Sequence, residues 1–93
     1  MTYDLTWPAP IRERLLDFYG QTAQGTGRET AELNKALTEI GESLERTPTA
    51  AGESRNGGRR VMIVSPLSVE YVIDDGARHV TVIRVHYSRG KRP

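Results

Sequence analysis

Leu33, Ala36, Leu37, Ile40 and Leu44 recur at spacings of one, three and four residues, with Glu32, Glu39 and Glu42 off that stripe. Such a pattern predicts a helix with one apolar face, and that face must be covered by something else in the fold. The rest of the chain supplies the cover. Val61–Val64, Val69–Ile73 and Val80–Tyr87 are short runs rich in β-branched residues, which predict three strands. Asp74-Asp75-Gly76 carries turn chemistry between the last two, and Ser65-Pro66 makes the earlier connection a bend or loop. The striped helix is expected to open at Thr26, with Glu29 completing a capping box. It should stop at Thr47-Pro48, because a residue before proline is pushed out of the helical region.

Upstream, Tyr3, Leu5 and Trp7 alternate with polar residues and predict a short opening strand. Pro8 and Pro10 end it, and Pro10 suits the first turn of a helix running from Ile11 to about Gln24. Gly25-Thr26-Gly27 separates the two helices into a hairpin. Thr49 to Gly58 reads as a loop. The expected order is β-α-α-β-β-β in one domain spanning residues 1–93. This is an α+β fold with the hairpin packed on one face of a mainly antiparallel four-stranded sheet.

Composition narrows the function classes. The chain has 93 residues, 37% of them hydrophobic, enough for one thin core that a partner can help to cover. It has no cysteine, which excludes a disulfide framework and a thiolate metal site. Two histidines, His79 and His86, are too few for a zinc site, and no metal or cofactor is expected. The first residues carry no charged-then-apolar signal pattern, and no apolar run approaches the roughly 20 residues that span a bilayer. A soluble cytoplasmic protein is expected. The overall charge of +1 hides an asymmetry: residues 1–54 carry a net −4 and residues 55–93 a net +5. The second half should face an anionic partner.

Functional groups concentrate where the last strand stops. Alternation places Arg84 and His86 on one side and Val85 and Tyr87 on the other, with Arg89, Lys91 and Arg92 just beyond. Past the strand end, His86 and Tyr87 can turn towards a shared cleft. His86 can move a proton near neutral pH, and Arg84 or Arg89 can stabilise charge developing on a phosphate. Tyr87 can stack on a base or orient a phosphate. These groups suit metal-free RNA cleavage, in which a ribose 2′-hydroxyl attacks the adjacent phosphate. A solvated strand end fits the same residues. Arg59-Arg60, with Arg55 nearby, form a second basic point that would merge with the first if the two strands were neighbours. Glu53 is a weaker general-base candidate, and His79 is expected in an exposed turn. No phosphate-binding glycine loop is present, since neither GxxxxGK[ST] nor GxGxxG occurs.

Taken in order, these features resemble the RelE/ParE superfamily of toxins from bacterial type II toxin–antitoxin systems. The resemblance runs over essentially the whole chain. It rests on the opening strand Tyr3–Trp7, the helical hairpin, the Arg59-Arg60 strand start, the Pro66–Ile73 segment, and the closing strand with Arg84, His86, Tyr87 and Arg89. It implies a cognate antitoxin as partner. RelE-like and YoeB-like members are ribosome-dependent mRNA endonucleases, whereas ParE-like members poison DNA gyrase. The Arg-Val-His-Tyr closure looks like the YoeB end, which implies His86 as acid or base and Tyr87 as a substrate-orienting group. On that reading Arg84 joins the catalytic set, and Arg59, Arg60, Arg89, Lys91 and Arg92 bind substrate. The chain departs from the nuclease pattern at Ser68, where an arginine usually precedes the middle-strand tyrosine, here Tyr71. Lysines of the preceding strand are also missing, since Val61–Val64 is apolar.

Overall fold

Proline decides where the first helix begins. Pro8 caps α1 (Ala9–Thr22), and Pro10 lies in its first turn, where a missing N–H breaks no helical bond. The structure, a computed structural model, describes residues 2–25 and 27–88. Thr26 and its expected capping box, together with Arg89, Lys91 and Arg92, lie outside the described residues. Ahead of α1 runs β1 (Asp4–Thr6), and after it comes α2 (Gly27–Arg46). The stripe on α2 is the buried one: Leu33, Ile40 and Leu44 are fully enclosed, Ala36 nearly so, and Leu37 packs at the margin.

The segment expected to be a loop is more ordered than its composition suggests. It holds α3 (Pro48–Ala51), the two-residue strand β2 (Glu53–Ser54) and a 3₁₀ turn at Asn56–Gly58. Gly57 and Gly58 adopt φ of 77° and 76°, a region that side chains disfavour, so the chain can double back. The Arg55 N–H then bonds the Arg59 carbonyl at 2.7 Å. Two side chains from the sheet hold α3 in place. The Tyr71 hydroxyl donates to the Pro48 carbonyl at 2.6 Å, and Arg60 Nη2 donates to the Thr49 and Gly52 carbonyls at 2.5 and 2.7 Å. Gly52 is required there, since a Cβ would stand 2.6 Å from both the Tyr71 hydroxyl and the Val61 carbonyl.

Three longer strands complete the sheet: β3 (Arg59–Val64), β4 (Leu67–Asp74) and β5 (His79–Tyr87). The order across the sheet is β1-β5-β4-β3-β2. It is mainly antiparallel, as expected, but has five strands instead of four because β2 extends it; only β1 runs parallel to its neighbour β5. Leu67, Val69 and Tyr71 of β4 and Val80, Val82 and Val85 of β5 face the helices and share a core with Ile11, Phe18, Leu33, Ala36, Ile40 and Leu44. Their spacing on β5 is not a strict alternation. The register jumps between Glu70 and Tyr71, so that Tyr71 faces Val82 while Glu70 faces Arg84, leaving Ile83 without an opposite residue. This bulge lets Val82 and Val85 both point inward.

Candidate functional site

The bulge also sets which side chains reach the open face of the sheet. Beyond Ile83, Arg84 pairs with Glu70 and His86 with Ser68, and both Arg84 and His86 are exposed. β1 accompanies β5 only as far as the Thr6–Thr81 pair, so the later part of β5 has no strand partner on that edge among the described residues. Helix α1 lies beside it instead. Between them is a groove of about 380 Å³ lined by Ile11, Arg14, Ile83, Arg84, Val85 and His86. Two guanidinium groups and an imidazole thus border an apolar floor. Such a place suits a group that is negatively charged at one end and apolar at the other.

Arg14 joins this set from the helix. Its guanidinium sits 5.6 Å from the centroid of the Phe18 ring, and Phe18 in turn stacks on Tyr87 with centroids 5.3 Å apart and planes 26° apart. An aromatic pair of this kind contributes about 0.5–1.5 kcal/mol beyond its buried area. Sequence reading did not single out Arg14. The available signal was its position three residues after Ile11 and four before Phe18, which on a helix makes it a neighbour of both core residues.

On the open face a carboxylate links two further cations. Arg59 Nη1 lies 3.4 Å from one Glu70 oxygen and Arg84 Nε lies 3.7 Å from the other, so a row runs across β3, β4 and β5. These contacts are long and the arginine side chains are 44% and 69% exposed, so each pair contributes little to stability. Glu70 instead lowers the positive potential that the two guanidinium groups would otherwise present.

The remaining sequence candidates fall elsewhere. Tyr87 does not share a cleft with His86: it still belongs to the strand, pairs with Leu67, and turns its ring towards Phe18 on the helix side. Arg60, one residue from Arg59, also faces the helix side, with its guanidinium committed to the two carbonyls that end α3. The two basic clusters do not merge into one groove, because β4 separates β3 from β5. Arg59 nevertheless remains on the open face and connects to Arg84 through Glu70. Glu53 and Arg55 pair with each other at 3.2 Å. His79 is half-buried at the start of β5, its Nε2 2.7 Å from the Thr6 hydroxyl, rather than exposed in a turn. Ser68 stands directly opposite His86, so the guanidinium absent from that position would have adjoined the imidazole. Burial raises the pKa of Tyr71, an effect that the nearby Arg60 partly offsets, and burial likewise raises that of Tyr19.

No protein-family model matches the chain, and no curated protein matches it in sequence. Its structure is similar to that of a chain in the RelBE2 toxin–antitoxin complex of Mycobacterium tuberculosis. The TM-score is 0.70 at 19% sequence identity, over 97% of this chain and 95% of the other. At that identity the likeness is one of architecture, and it agrees with the element order expected from the sequence. The two chains share one α+β fold.

Proposed function

We propose that this chain is the toxin of a type II toxin–antitoxin pair and acts in the cytoplasm as an endonuclease on ribosome-bound mRNA. The observation that carries this reading is the placing of Arg84 and His86 side by side on the open face of the sheet, next to a groove of nucleotide size. The fold shared with a toxin–antitoxin complex supports it. In the proposed step His86 removes the proton from a ribose 2′-hydroxyl as that oxygen attacks the adjacent phosphorus. The bond from phosphorus to the 5′-oxygen breaks, and the leaving oxygen takes a proton from water. Arg84 neutralises the charge that gathers on the phosphoryl oxygens. Tyr87 takes no part in this step, because its ring is turned towards the core. A cognate antitoxin neutralises the toxin by covering the same basic face with acidic side chains.

A second reading is inhibition of DNA gyrase by a non-catalytic toxin. It is favoured by the inward Tyr87 and by Ser68 opposite His86, both of which thin out the catalytic set. One experiment separates the two. On expression without an antitoxin, the nuclease halts growth and cuts translated mRNA. His86→Ala should lower cleavage about 10²–10⁴-fold, the usual contribution of a general acid or base, while Tyr87→Phe leaves most of it. Growth arrest that survives His86→Ala, with gyrase trapped on broken DNA, would establish the second reading in its place.

A further inference from the structure

We infer that the groove between α1 and β5 seats one nucleotide of single-stranded RNA, with Arg14 as a phosphate-binding residue and the aliphatic floor of Ile11, Ile83 and Val85 under the base. The inference rests on the nuclease reading and adds to it a place for the substrate and a residue from the helix. Three observations on this groove converge. Its volume, about 380 Å³, suits one nucleotide. Its lining includes Arg14, Arg84 and His86 and no carboxylate, so its charge favours an anion. It also contains His86 itself, so a nucleotide held there lies within reach of the proton-transferring group.

The neighbouring groove makes the contrast. It is larger, about 480 Å³, and lies between β1, α1 and α2, where Arg12 is outnumbered by Glu42 and Glu45. An anionic ligand is repelled there and attracted to the groove that holds Arg14. Arg12 and Arg14 are both exposed, carry the same charge and stand two residues apart on one helix. They therefore form a matched pair for a test.

The probe is a fluorescein-labelled RNA hexamer with 2′-O-methyl groups, which cannot be cut, read by fluorescence anisotropy between 50 and 200 mM salt. Arg14→Gln should weaken binding about tenfold at 50 mM salt and reduce the slope of log K on log salt by about one. Arg14→Lys should keep most of the affinity, and Arg12→Gln should change it less than twofold. Equal losses for Arg12→Gln and Arg14→Gln would overturn the inference, as would a parent protein that does not bind the hexamer. An acidic helical peptide bound through Arg14, with no RNA binding, would overturn it in favour of a protein-docking groove. Cleavage of translated mRNA tells the two readings apart. Hexamer binding that depends on Arg14, without cleavage by the parent, supports the groove and sinks only the nuclease. Cleavage left intact by Arg14→Gln sinks only the groove.

Discussion

Tyr71 is completely enclosed, yet its hydroxyl is bonded to the Pro48 carbonyl 23 positions earlier in the chain. Burial lifts its pKa above the ordinary tyrosine value, against a smaller opposing effect from Arg60. The folded state thus holds this proton more tightly than the unfolded chain, whose tyrosines titrate near pH 10. Its contribution to stability is whole below about pH 10 and is lost as pH rises through the raised native value. Urea midpoints taken from pH 8 to 11 should fall more steeply for the parent than for Tyr71→Phe, and equal slopes would clear Tyr71 of responsibility. At pH 7 the same variant should lose about 1–3 kcal/mol, because the Pro48 carbonyl is left without its donor. Arg59 and Arg60 show what single residues conceal in a sequence. They read as one basic point, but strand alternation sends Arg59 to the open face and Arg60 to the carbonyls of α3. Nothing in the letters says which arginine is structural until the register with β4 is known.

At the level of elements, α2 was the most legible part of the chain, because its apolar spacing and its proline stop depend on nothing distant. Ile40 is fully enclosed at the middle of that stripe. Ile40→Ala should cost about 2–5 kcal/mol through lost burial and a residual cavity, read as a lowered urea midpoint. A loss below 0.5 kcal/mol would mean that α2 does not form the roof of this core. The strands were legible as strands for similar local reasons. By contrast, α3 and β2 were hidden, since their order comes from Arg60, Tyr71 and the close approach at Gly52 rather than from their own residues. The site was legible in part. Arg84 and His86 stood out by residue type, whereas Arg14 belonged to a helix that looked purely structural. Tyr87 looked functional from its neighbours, and its packing on Phe18 could be known only once α1 was placed over the sheet.

For the molecule as a whole, the charge asymmetry between the chain's halves survives folding in a tempered form. The basic strands present Arg59 and Arg84 on the open face, and Glu70 sits between them. If that face meets RNA phosphates, Glu70 works against binding at every step of approach. Glu70→Gln keeps the size of the side chain and removes one negative charge. It should tighten binding of the RNA hexamer several-fold at 50 mM salt, with the gain shrinking at 200 mM as the screening length shortens to about 7 Å. Its urea midpoint should stay within the equivalent of about 1 kcal/mol, since the pairs it loses are long and their arginines reach solvent. Unchanged or weaker RNA binding would show that the open face is not where the polyanion lies.

The unmatched Ile83 has a consequence that concerns counting rather than chemistry. Everything after it on β5 sits on the side it does because one supernumerary residue is taken up there by the bulge. Had β5 alternated straight through Ile83 without the bulge, Arg84 and His86 would lie beneath the helices and Val85 and Tyr87 would be turned out to water. Removing Ile83 instead leaves Val82, Arg84, Val85 and His86 alternating on the faces they now hold. Which side chains after Ile83 reach the open face is therefore decided by the bulge and not by their residue types. Straightening that one irregularity with the length unchanged would exchange the two faces, whereas deleting Ile83 would keep both.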